Sequence, residues 1–163
     1  MNEIIAQNAL KLENIPYKKH LTMLHGVNEN PKNLDCIGLI LTSLMLSKID
    51  ISKLSKLINI ELYKDCKKLN FIENLEHFKL RKNVNNCDIG DILMFSENNR
   101  IHFGILTSKK DNIFYITHAL ARNRKVVTSI FDNHLKKNLI YILYYFQFNI
   151  DINCEKHRTR QNK

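Results

Sequence analysis

Asn33-Leu34-Asp35-Cys36-Ile37-Gly38-Leu39-Ile40 is the stretch where an irregular segment turns into a helix, and it carries a cysteine at the junction. Asp35 is a good N-cap residue, because its short side chain can accept from the orphan N–H groups of a first turn. Behind it Ile37, Ile40, Leu41, Leu44 and Met45 recur at helical spacing, so Cys36 falls in that first turn. Unpaired amides and the positive end of the helix dipole favour a thiolate, the nucleophilic form of cysteine. A lone cysteine in a helix is more often a small apolar residue. Its meaning depends on what the rest of the chain sets beside it.

Upstream, residues 3–14 read as a helix with Ile4, Ile5, Leu10 and Leu12 as its apolar positions, stopped by Asn14-Ile15-Pro16. The segment from Lys18 to Lys32 has no periodicity, and Gly26 and Pro31 mark it as a loop. Downstream, residues 52–63 read as a second helix and 72–80 as a weaker third. From Asp88 the period changes. Asp88-Ile89-Gly90-Asp91 is a turn, Ile92-Leu93-Met94-Phe95 a buried strand, and residues 100–107 and 112–119 two more strands. Val126-Val127 is a short strand, 130–136 a brief helix, and the apolar run 139–146 a last strand with neighbours on both sides. Helices first and strands later is the order of an α+β domain. Residues 1–150 form one domain in this reading, and 151–163 are a polar, basic, disordered tail.

The 163 residues are 44% hydrophobic and carry a formal net charge of +9, with a sequence pI near 9.4. That balance favours an anionic partner, whether nucleic acid, membrane surface or an acidic polymer such as cell wall, without choosing among them. No helix-turn-helix, zinc or aromatic-basic pattern supports nucleic-acid binding. Cys36, Cys66, Cys87 and Cys154 form neither a CxxC pair nor a cluster with histidine, so reduced thiols are expected and no metal or organic cofactor is implied. No run reaches the roughly 18 apolar residues of a membrane span, and Met1-Asn2-Glu3-Ile4 does not begin a signal peptide. The expectation is synthesis in the cytoplasm, with any action on the outside depending on delivery.

The strands supply the partners for Cys36. If the hairpin after Thr107 is centred on Lys110, paired residues have numbers summing to 220, and His102 lies opposite His118. Opposed side chains of an antiparallel pair are close enough for one imidazole to hydrogen-bond the other. Gly104, on the same face as His102, leaves space beside the ring. Nucleophile, base and orienter are then Cys36, His102 and His118. The helix start and an imidazolium partner are expected to make Cys36 a thiolate at pH 6, with Asp35 opposing that shift. His20, His25, His77, His134 and His157 lie in loops or on charged helices and are read as surface residues.

Asp35-Cys36-Ile37-Gly38-Leu39, Gly90-Asp91-Ile92-Leu93-Met94-Phe95, His102-Phe103-Gly104-Ile105 and Thr117-His118-Ala119 resemble, in order, the motifs of the NlpC-type (NlpC/p-sixty) cell-wall cysteine peptidases. The likeness runs over about residues 10–147. With Ile15-Pro16-Tyr17 upstream, it is most similar to the short branch encoded with phage tails and gene transfer agents. The resemblance implies a papain-like fold and hydrolysis of peptidoglycan stem peptides, typically between D-glutamate and the diamino acid. It implies Cys36 as nucleophile, His102 as base, His118 as third polar residue and Tyr17 at the oxyanion site. Phage-tail or gene-transfer-agent proteins are the partners it suggests, with a virion-like particle or lysis as the route to the wall. Lys18-Lys19-His20 stand where relatives have glycines, and Ile37 where Ser or Leu is usual. A Cys–His pair serves any acyl transfer, so an amidase or acyltransferase is one alternative. A catalytically silent tail or wall-binding module is the other.

Overall fold

The computed structural model describes residues 1–20, 22, 25, 27–52, 78–81, 83–97 and 100–146. Among them are helices α1 (Asn2–Lys11), α2 (Cys36–Leu46) and α3 (Asn133–Asn138). The strands are β1 (Phe78–Arg81), β2 (Ile92–Glu97), β3 (Arg100–Lys110), β4 (Ile113–Leu120), β5 (Lys125–Ile130) and β6 (Leu139–Tyr145). They form one antiparallel sheet in the order β1-β6-β2-β3-β4-β5. The fold is α+β, as expected from the order of the elements.

Each face of the sheet has its own core. On one, Ile92, Met94, Phe103, Ile105 and Leu143 pack against Ile5 and Ala9 of α1 and Ile37, Ile40, Leu41 and Leu44 of α2. On the other, Leu93, Phe95, Leu106, Ile116 and Ile142 pack with Cys87 and Phe131, and Leu135 of α3 adds to them. Strand β2 is covered on both sides, which is why its sequence is a continuous apolar run rather than an alternating one. Burying side chains of this size stabilises the fold by about 1.5–3 kcal/mol each before conformational entropy is counted. A smaller cluster of Leu12, Leu34, Leu39, Ala119 and Val126 joins the start of α2 to the ends of β4 and β5.

Two expectations need correction. Residues 78–80 are strand, not the end of a helix: Phe78 lies directly opposite Tyr145, and the rings meet edge to face at 5.5 Å and 80°. A cross-strand aromatic pair of this kind favours a sheet over the weak helical pattern. The remainder of that helix, the helix expected from residue 53 onward and the tail 151–163 lie outside the described residues.

The second correction is the hairpin. Asp111 and Asn112 both have positive φ, 48° and 64°, and make a two-residue turn that pairs Lys110 with Ile113. Next to the turn the pairs sum to 223; beyond a bulge at Thr107 they sum to 222. His118 therefore lies opposite Gly104, not His102. The bulge matters for the faces. An odd sum would pair His118 with Ile105 and turn the two histidines to opposite sides of the sheet; the extra residue restores an even sum and puts them on the same side. Its position is pinned by hydroxyls: Thr107 Oγ1 and Thr117 Oγ1 are 2.9 Å apart, as are Thr117 Oγ1 and Thr128 Oγ1.

Candidate active site

Asp35 caps α2 as its sequence implies. Its Oδ1 accepts from the Gly38 N–H at 2.7 Å and from the Thr22 hydroxyl at 2.7 Å, and its Oδ2 accepts from the Thr22 N–H at 3.0 Å. The carboxylate is buried, and these donors replace its water. It thereby ties the start of α2 to Thr22, which, like His25, is helical, a correction to the loop expected over residues 18–32. A Cβ on Gly38 would strike Thr22 Oγ1 and stand 3.2 Å from Asp35 Oδ1, so the glycine makes room for that bond.

Cys36 is half-buried in the first turn. Burial pushes its thiol up to about 12, and the Asp35 carboxylate pushes the same way. The N–H groups of Phe103, Ile37 and Cys36 itself pull it down, without overcoming burial. The expectation of a thiolate at pH 6 is therefore overturned. Removal from water outweighs the helix terminus, and the resting group is a neutral thiol.

The influence of the Phe103 N–H on the thiol sets Cys36 near β3. Leu106 N–H points across to Asp91 of the β2 side, so by alternation the N–H of Phe103 points toward β4. The β3–β4 ladder ends at Gly104 and His118 although both strands continue, and the start of α2 packs into that opening through Leu34, Leu39 and Ala119. Cys36 packs against the core that holds Ile37, Ile40 and Phe103, the last of which follows His102 along β3.

His102 and His118 are joined directly: Nε2 of the first and Nδ1 of the second are 3.2 Å apart, with ring centroids separated by 5.3 Å. The contact is diagonal across the ladder, passing over Gly104. A Cβ there would stand 2.5 Å and 2.7 Å from Ile116 Cδ1 and Cγ1, and 3.2 Å from His118 Cβ. Phe95, directly opposite His102, stacks on its other side at 6.1 Å. His118 is buried, and its other nitrogen, Nε2, lies 2.9 Å from Ser129 Oγ. Burial holds His118 down to about 3, helped by repulsion from His102 and Arg122 and opposed by Asp132. At neutral pH it carries one ring proton.

Tyr17 is half-buried against the Leu12, Leu34, Leu39 cluster and forms a parallel bridge with Leu34, two residues before Cys36. Its N–H donates to the Arg124 carbonyl at 2.8 Å. Ser129 was missed in the sequence because β5 is read there as Val126-Val127 alone; the signal was parity, since Ser129 shares a sheet face with Ile116, its directly opposed partner. Among the described residues no group of three or more His, Cys, Asp or Glu is placed to hold a metal, and no helix is long and apolar enough to cross a membrane.

No protein-family model matches this chain, and no curated protein sequence matches it.

Proposed function

We propose that this protein is a cysteine hydrolase of papain-like architecture that cleaves amide bonds in peptidoglycan stem peptides. The observation that carries the reading is the hydrogen-bonded pair His102–His118 on β3 and β4, together with a cysteine at a helix start that packs against the core containing Phe103, the residue after His102. His102 uses Nε2 toward His118, and in this reading its Nδ1, the nitrogen nearer its own backbone, works on the thiol. Nδ1 takes the Cys36 proton as sulfur bonds to the amide carbon, so no resting thiolate is required. The amide oxygen becomes an oxyanion served by N–H groups of the α2 start, with Tyr17 beside them. Nδ1–H then protonates the leaving amine, a thioester remains, and water attacks it with Nδ1 again as base.

Charge supports an anionic wall peptide. Lys18, Lys19, Lys32, Arg122 and Arg124 are exposed on segments stitched to one another around this end of α2, by Lys18 N–H to Leu34 O and Tyr17 N–H to Arg124 O. Delivery by a phage-tail-like particle belongs to the same proposal. The test is mass analysis of muropeptides after incubation with the protein and with Cys36→Ala. Fragments cut within the stem peptide, absent with Cys36→Ala, are expected; release of whole stem peptides from the glycan would make it an amidase. A silent wall-binding module is the second reading, favoured by the protonated thiol. It predicts wall binding with no fragments from either protein.

A further inference from the structure

We propose that Arg122 is a specificity-determining residue, whose guanidinium pairs with a carboxylate that the substrate carries next to the scissile amide; the inference rests on the hydrolase reading of the site. Arg122 stands on the turn 121–124, which continues the strand of His118 into β5. The turn is closed by bonds from the Asn123 N–H to the Leu120 carbonyl at 3.2 Å and from the Arg124 N–H to the Ala121 carbonyl at 3.1 Å. Both of its ends are held at the start of α2. Ala119 and Val126, on either side of it, pack with Leu34 and Leu39. The Arg124 carbonyl accepts from the Tyr17 N–H at 2.8 Å, and the next residue, Lys18, donates its N–H to the Leu34 carbonyl at 3.0 Å. Arg122 is thereby fixed on the rim beside Asp35-Cys36. Its charge reaches the site itself, since it joins His102, against Asp132, in disfavouring a proton on His118.

The guanidinium is also available. Several other cations are engaged: Lys125 Nζ donates to Asn14 Oδ1 at 2.7 Å, and Lys109 and Lys136 lie over the rings of Phe114 and Phe131. Arg122 is exposed and makes no hydrogen bond or ion pair among the described residues. Asp132, the anion that acts on the same imidazole, spends its Oδ1 on the Leu135 N–H as the cap of α3. A guanidinium offers its N–H donors in a planar fork that matches both oxygens of a carboxylate, which the ammonium groups of Lys18, Lys19 and Lys32 do not. Arg124 is the neighbouring alternative with the same fork, and the experiment separates the two.

The test is calorimetric binding to the Cys36→Ala protein at about 0.5 M salt, where steering by the wider rim has faded. The two probes are a stem peptide with a free D-glutamate α-carboxylate and the same peptide amidated there. The free carboxylate should bind at least about tenfold tighter, the worth of one charge-assisted bidentate pair. Adding Arg122→Gln should remove that preference by weakening the acidic peptide alone, Arg122→Lys should keep part of it, and Arg124→Gln should leave it in place. With Cys36 restored, Arg122→Gln should raise KM for the acidic peptide about tenfold and change kcat little, because the contact is made alike in ground and transition states. Equal affinity of Cys36→Ala for the two peptides would overturn the proposal without any change at Arg122, so the fold of the Arg122 variants does not decide it. A preference that survives Arg122→Gln, or an equal loss with both peptides, would overturn it too. The expected preference in a protein that cleaves no wall peptide would defeat the hydrolase reading while leaving this assignment standing.

Discussion

Cys36 sits where two electrostatic influences oppose each other, and burial with the Asp35 carboxylate prevails over the N–H groups of the helix start. Iodoacetamide should therefore label it at pH 6 no faster than an ordinary thiol of pKa about 8.5, with the rate climbing about tenfold per pH unit well past that value. Peptide mapping of the labelled protein checks this; rapid labelling at pH 6 that disappears in His102→Ala would mean a thiolate–imidazolium pair at rest. His118 makes the complementary case. Its pKa lies near 3 in the folded chain against 6.5 ordinarily, so between those values the unfolded chain binds the additional proton. Stability is then lost as pH falls through 6.5 toward 3, by about 1.4 kcal/mol per pH unit. In urea titrations from pH 7 to 5, His118→Gln should lose about 2 kcal/mol less than the unaltered protein; equal losses would show that His118 is not held neutral. The same exchange probes catalysis. His118→Asn or His118→Gln can still accept the ring N–H of His102 and should retain much more activity than His118→Ala.

The hairpin of β3 and β4 decides whether those side chains can meet. Gly104→Ala would press a methyl into Ile116 and the base of His118, so we expect about 1–3 kcal/mol of destabilisation and a drop in kcat as the histidine pair is spread. Denaturant midpoints and initial rates measure both, and unchanged stability would mean the ladder has slack there. The helix of Cys36 was legible in the sequence because its causes are local: a cap at Asp35 and apolar spacing behind it. The histidine pairing was legible only in part. The opposed partner of His118 depends on a two-residue turn at Asp111-Asn112 and on a bulge at Thr107, and the bulge is set by hydroxyls of three different strands. No short window of sequence contains that information. Ser129 was hidden for a related reason: Thr128 and Ser129 look polar enough to end a strand, and only pairing with β4 keeps them in one. At Phe78 the partner that makes a strand, Tyr145, is 67 positions away along the chain, the difference between 145 and 78.

A net charge of +9 acts on how a substrate arrives more than on the chemistry it meets. The cations of Lys18, Lys19, Lys32, Arg122 and Arg124 are exposed, and the segments that carry them are joined by backbone bonds rather than scattered. Interactions between exposed charges fade beyond about 10 Å at 0.1 M salt, so attraction of an anionic wall fragment to this rim should weaken as salt is added. The buried bonds among His102, His118 and Ser129 are screened far less. Added salt should therefore raise KM for anionic muropeptides by about three- to tenfold across the range from about 0.05 M to 0.5 M, while kcat stays nearly constant. Lys18→Glu together with Arg124→Glu should reproduce the rise at low salt. A substrate whose carboxylates are amidated should respond to neither change. If kcat/KM for the anionic fragments is indifferent to salt and to the charge reversal, the rim does not guide substrate, and the positive charge of this chain serves some other surface.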